Sequence, residues 1–120
     1  MRPPRIREEA GVLIITLDDA NALNDGQAVG VRQPLYQAVQ AHPGSRVAVD
    51  LGGIDFLSSS GVALLIGLKR RVDLAEGHLV LFRLHTHVLD LFKVMRLVDL
   101  FTLADGEAEA LDLLRSIPAE

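Results

Sequence analysis

Residues 47–84 read VAVDLGGIDFLSSSGVALLIGLKRRVDLAEGHLVLFRL, and the way this stretch divides decides the fold. VAVDL at 47–51 is a short apolar run rich in β-branched residues, the pattern of a strand covered on both faces. From 61 to 75 the period becomes helical. Leu64, Leu65, Leu68, Val72 and Ala75 form one apolar stripe, and Lys69, Arg70, Arg71 and Asp73 mostly cover the other side. Gly77 is a stop signal, and LVLFRL at 79–84 reads as a second buried strand. Strand, helix and strand in this order make a βαβ unit, with parallel strands and a right-handed crossover.

The flanks continue the alternation. VLIITL at 12–17 is another buried strand, and 5–9 alternates weakly as an edge strand would. DDANALNDG at 18–26 is a loop by composition. Residues 27–41 are helical, with Val31, Leu35, Ala38 and Val39 on one face; Pro34 either kinks this helix or marks its first turn. His42, Pro43 and Gly44 end it. Beyond 84, residues 86–96 form an amphipathic helix with Val88, Leu89, Leu91, Phe92 and Met95 apolar and Thr86 as its N-cap. A short strand at 101–103 follows, and then a helix over 107–116, capped by Asp105, with Ala110, Leu111 and Leu114 turned inward. The expected order is β-β-α-β-α-β-α-β-α. It describes an α/β fold: a mixed, mostly parallel sheet of roughly four to five strands with about four helices packed on it. One domain spans 1–120, with its core at about 5–115.

Composition narrows the chemistry. The chain of 120 residues is 49% hydrophobic but has only four Phe, one Tyr and no Trp, so its core is aliphatic. With no cysteine, disulfides, thiolate metal sites and Cys nucleophiles are all excluded, which fits a reducing compartment. The start, MRPPRIREEAG, carries basic residues with no apolar segment behind them, unlike a secretory signal. No apolar run approaches the ~18 residues of a membrane span. Net charge is −4, and the twelve Lys and Arg are scattered, so nucleic acid is not an expected partner. A cytoplasmic location without cofactor or metal is the resulting expectation.

The βαβ unit also places a site. In open α/β sheets, functional loops lie beyond the carboxyl ends of the parallel strands. Residues 54–60 form that loop after strand 47–51 and lead into a helix N-terminus, where unpaired N–H groups and the helix dipole favour an anion. One of Ser58, Ser59 and Ser60 suffices as a cap. Gly61 has a helical cost of about 1 kcal/mol relative to Ala, which implies that something approaches the backbone closely there. Ile54, Phe56 and Leu57 are expected to hold the loop against the apolar body and present the hydroxyls from a fixed platform.

VAVDLGGIDFLSSSGVALLIGLKRRV resembles the signature region of STAS domains, the fold of bacterial anti-sigma factor antagonists. There a strand and short link lead to an apolar pair, Asp-Ser-Ser-Gly and an apolar helix. VLDLFKVMRLVDLFTLADGEAEALDLL is similar to the family's last helices and strand, and the likeness covers roughly 5–115. The resemblance implies that the family's phosphorylated serine falls on Ser59, the next serine on Ser60 and the glycine on Gly61. Ser58 stands where the family has Asp, which removes a carboxylate and makes Ser58 a second candidate acceptor. Ser58, Ser59, Ser60, Gly61 and Val62 are then the partner-binding residues. The implied partner is an anti-sigma factor that is also a serine kinase. The unmodified protein binds it and frees a sigma factor, and phosphate on Ser59 ends the binding. A homodimer stays open.

Two rival readings remain. A hydrolase would need G-x-S-x-G around its nucleophile, and 57–61 lacks the first glycine; no motif places His42, His78, His85 or His87 as a base. His85 and His87, two apart, fit a solvated loop better than a metal pair. The expectation is therefore a protein that is not an enzyme. The second rival is a non-phosphorylated STAS scaffold, a subunit of a signalling assembly or an accessory protein of a lipid-transporting ABC system.

Overall fold

The computed structural model describes residues 4–17, 19, 23–24, 28–42 and 44–117, and the elements occur in the expected order. They are β1 (Arg5–Glu9), β2 (Val12–Thr16), α1 (Ala28–Ala41), β3 (Arg46–Asp50), α2 (Ser59–Leu74), β4 (His78–Phe82), α3 (Thr86–Val94), a 3₁₀ turn (Leu97–Asp99), β5 (Thr102–Ala104) and α4 (Glu107–Arg115). Most of the loop expected at 18–26, with Gln27 and Pro43, lies outside the described residues.

One sheet contains all five strands in chain order, with β1 antiparallel to β2 and the other pairs parallel. The β1–β2 connection uses Ala10 (φ 53°) and Gly11 (φ 82°), two left-handed residues whose twist suits a tight hairpin. β1, RIREE, is exposed throughout, and its charges discourage a further chain from pairing with this edge.

The apolar runs of β2, β3 and β4 are continuous because both sheet faces are covered. Leu13, Ile15, Val47, Val49 and Leu81 join Val31, Leu35, Leu65, Leu68, Val88 and Phe92, so α1, α2 and α3 build the larger core. Val12, Ile14, Ala48, Val80 and Phe82 join Ala110, Leu111 and Leu114 of α4 on the other face. β3 and β4 therefore end between two packed layers, and the loops that follow them are anchored at their roots.

Local details depart from expectation where tertiary contacts intervene. Pro34 lies inside α1, which already begins at Ala28, so it does not mark the first turn. Its missing N–H deprives the carbonyl of Gly30, an exposed residue that water can serve. The N-cap of α3 is His85 rather than Thr86, and it makes no side-chain cap bond because its ring reaches the carbonyl of Gly52 instead. Gly106, not Asp105, occupies the cap of α4, and the carboxylate of Glu109 accepts the N–H of Asp105 at 3.3 Å.

The end of α2 is a Schellman turn: Gly77 N–H bonds Val72 O at 2.8 Å and Glu76 N–H bonds Asp73 O at 3.0 Å. The left-handed residue is Glu76 (φ 61°), not the glycine after it. Gly77 is needed for another reason, since a Cβ there would lie 2.4 Å from the Ser45 carbonyl oxygen. The two positions should therefore respond oppositely. Glu76→Gly relieves a strain of about 1–2 kcal/mol and adds part of that back as unfolded-chain entropy, so a net gain of roughly 0.5–1 kcal/mol is expected. Gly77→Ala should destabilise by more than that gain. Urea midpoints at unchanged slope check both.

Candidate functional site

The loop between β3 and α2 is built from both ends. At its start, the Asp50 carboxylate accepts the Gly52 N–H at 2.8 Å, and Ile54 N–H bonds Leu51 O at 3.0 Å, closing a turn over the two glycines. Asp50 is nearly buried, and the Arg83 guanidinium stands 3.9 Å from it. Arg83 itself has φ 59°, a strained backbone for a long side chain. From the same β4–α3 segment, His85 Nε2–H donates to Gly52 O at 2.7 Å. Two adjacent strand-end loops thus brace each other, so the chain enters the serines from a fixed direction.

The middle of the loop divides between core and solvent. Ile54 and Leu57 are buried in the larger core. Phe56 is not: it is 59% exposed, with exposed Asp55 beside it. The expectation that Phe56 helps hold the loop is corrected on this point: Ile54 and Leu57, three residues apart, fill the core, and the loop turns Asp55 and Phe56 between them to solvent.

The three serines then separate into three roles. Ser58 is the N-cap of α2, with extended backbone (φ −84°, ψ 173°). Its Oγ–H donates to Leu23 O at 2.8 Å, and the same oxygen accepts the Gly61 N–H at 3.1 Å. Its own N–H also bonds Leu23 O at 3.2 Å. The hydroxyl is buried and committed in both senses, which leaves it poorly placed as an acceptor of phosphate or as a surface for a partner. Serine suits this place better than aspartate: an ionised carboxylate could take the Gly61 N–H but could not donate to Leu23 O. Ser59 is the first residue of α2 and is exposed. Ser60 is half-buried and lines a cavity of about 200 Å³ with Ala28, Arg32, Tyr36, Ala63 and Leu64. Gly61 and Val62 are buried, so among the five residues expected to contact a partner only Ser59 is freely presented.

Gly61 answers to the protein itself. A Cβ there would stand 2.2 Å from Leu23 O and 2.9 Å from Leu23 Cβ and Leu57 Cδ1. What approaches the backbone closely is the β2–α1 loop, clamped at Leu23 by the cap. Sequence reading located the loop and the helix start. It missed Phe56 as an outward group, since a period of two would have turned Phe56 to the same side as Ile54.

Electrostatically the first turn of α2 carries no acidic side chain. Ser58 Oγ takes the Gly61 N–H and Ser58 O takes the Val62 N–H, at 2.9 Å. The N–H groups of Ser59 and Ser60 stay at the positive end of a helix of 16 residues, beside the exposed hydroxyl. An anion carried on that hydroxyl meets the N–H donors of the helix end.

The STAS domain profile matches residues 3–110. BtrV of Bordetella bronchiseptica, named as a candidate anti-sigma factor antagonist, is 30% identical over 110 residues, covering 90% of this chain and 91% of BtrV. An anti-sigma-factor antagonist (STAS) domain protein from Planctomyces limnophilus superposes with a TM-score of 0.86 at 21% identity, over 96% of this chain and 100% of that one. The phosphorylated form of the Bacillus cell fate determinant SpoIIAA gives 0.68 at 20% identity, over 93% and 99% of the two chains. With the profile running from before β1 into α4 on a five-stranded sheet of this order, the chain belongs to the STAS domain family.

Proposed function

We propose that this protein is an anti-sigma factor antagonist controlled at Ser59. Unmodified, it binds an anti-sigma factor that is also a serine kinase, and a sigma factor is released. Transfer of the γ-phosphoryl group of ATP to Ser59 Oγ, with loss of the hydroxyl proton, then ends the binding. The observation that carries this reading is the division of labour among the serines. Ser58 caps α2, and Ser59 is left exposed beside two N–H groups that have no partner among the described residues, on a braced loop. A relative named as an antagonist and the shared fold of a phosphorylated one support it.

Phosphate adds about −1.5 to −2 charge, and at a helix N-terminus that charge is locally favourable. The fold is therefore expected to survive modification. The interface is expected to fail, because charge and bulk arrive where two surfaces must close and lose water. Ser59→Asp should leave the melting temperature within about 2 °C and weaken kinase binding at least about tenfold. Ser59→Ala should bind and resist phosphorylation. Mass spectrometry of the protein from its native cells, with calorimetric titration of the variants, tests the reading. Phosphate found on no serine of 58–60, or a large drop in melting temperature for Ser59→Asp, counts against it.

Ser58 favours a second reading. No carboxylate occupies the first turn of α2 to orient the Ser59 hydroxyl. A scaffold subunit, docking through the same loop without phosphorylation, needs none. Ser59→Asp and Ser59→Ala binding the partner equally well would select this reading.

A further inference from the structure

The chain is acidic overall, yet one face of it is not. α1 has Arg32 as its single charged residue, and α2 carries Lys69, Arg70 and Arg71 against Asp73 alone. Lys69 and Asp73 pair with each other at 2.7 Å. The acidic side chains gather elsewhere, notably Glu107, Glu109 and Asp112 on α4, across the sheet. Among the described residues, α1 and α2 thus carry one carboxylate, Asp73, and its pair with Lys69 lies beside Leu74 and Leu100, away from α1.

That surface is grooved. The 200 Å³ cavity beside Ser60 is continued by one of about 230 Å³ between Arg32, Gln33, Tyr36, Gln37 and Arg71, and both share Arg32 and Tyr36. No carboxylate lines either cavity among the described residues, and neither arginine has an ion-pair partner there. The floor is built rather than incidental. Tyr36 O–H donates to Leu64 O at 3.0 Å, and the Arg71 guanidinium lies over the Tyr36 ring, 4.0 Å from its centroid. Gly67 makes room, since a Cβ there would stand 2.3 Å from the Tyr36 hydroxyl. Arg71 is thus oriented before any ligand arrives, and a guanidinium fork suits a carboxylate.

We propose that the α1–α2 groove is the second half of the partner interface and takes an acidic segment of the kinase, with carboxylates on Arg32 and Arg71. This rests on the antagonist reading above. It also extends it: Ser60 lines the groove's upper end, so phosphate on the neighbouring Ser59 places two negative charges at its mouth. Phosphorylation then ends binding by occupying the field that the acidic segment needs, as well as by bulk. Lys69 of α2, already paired with Asp73, is not required.

The test uses hexaglutamate as probe and hexalysine as control, titrated into the full chain and followed by two-dimensional NMR at low salt. The expected result is saturable shifts of the Arg32, Tyr36, Ser60 and Arg71 signals with hexaglutamate only. They should weaken several-fold with Ser59→Asp, be lost with Arg32→Glu, and fade with salt. Arg32 is exposed, so Arg32→Glu is expected to fold, and its melting curve verifies this. Shifts scattered over other surfaces, no shifts, or shifts unchanged by Arg32→Glu overturn the groove. Concentration-dependent self-association removed by Arg32→Glu also overturns it, since the occupant is then α4 of a second copy. Kinase binding to the wild-type chain that Arg32→Glu leaves unchanged rejects the groove and keeps the antagonist reading. Groove shifts with hexaglutamate, in a chain that no kinase binds or phosphorylates, reject the kinase as occupant and the antagonist reading with it.

Discussion

Gly61→Ala is expected to lower stability by about 3 kcal/mol or more and the melting temperature by roughly 10 °C. The methyl group would lie 2.2 Å from Leu23 O, and a backbone oxygen cannot swing aside as a side-chain tip can. That oxygen also accepts both the Oγ–H and the N–H of Ser58, at 2.8 and 3.2 Å. If the loop retreats, both bonds break and fully buried Leu23 leaves the core; if the helix retreats, the cap opens. Either route adds a strain of about 1–3 kcal/mol to two lost hydrogen bonds of about 1 kcal/mol each. Gly106→Ala is the control. Nothing stands within 4 Å of its added Cβ, so only the preference of an N-cap for Gly over Ala, about 1 kcal/mol, is expected to be lost. Thermal and urea unfolding measure both. Equal stability of the two variants would mean that the clamp at Leu23 is not a constraint.

Phe56→Ala should show the opposite profile. A side chain that is 59% exposed contributes little to the fold, so stability should stay within about 0.5 kcal/mol of wild type. Partner affinity is expected to fall by about 30-fold or more, near 2 kcal/mol, because a rigidly presented aromatic beside Ser59 has the character of an interface anchor. Leu57→Ala, one residue on, removes a buried side chain and should cost about 2–4 kcal/mol of stability. Denaturation of the pair, with titration of Phe56→Ala against the kinase, separates presentation from support. Phe56→Ala unfolding like Leu57→Ala would restore Phe56 to a supporting role.

These two sites also show where reading the chain runs out. The period of two in the strands and of nearly four in the helices is local, so the order of elements and the inward faces of α2 and α4 were legible directly. The position of the candidate loop followed from topology, because strand β3 must deliver the chain to the start of α2. What was not legible depends on a neighbour distant in sequence. Which serine caps was set by Leu23, 35 residues away from Ser58, whose carbonyl needs a donor. The cap of α3 fell to His85, whose ring bonds Gly52 O instead of the helix end. Glycine signals at 61 and 77 marked close approaches, while the left-handed turn at the end of α2 fell to Glu76, whose strain the surrounding hydrogen bonds hold.

The sequence by itself therefore determined the α/β architecture, the loop that leads from β3 into the start of α2, and the serine cluster placed there. Only the tertiary structure decided that one serine is buried as a cap and the next is offered to solvent, that Phe56 points outward, and that Arg32 and Arg71 meet across two helices beside Ser60. The physical reason is the range of the forces involved. Periodic burial is written in neighbours three or four residues apart, whereas hydrogen-bond satisfaction and charge placement are settled between groups that meet only after the chain has folded.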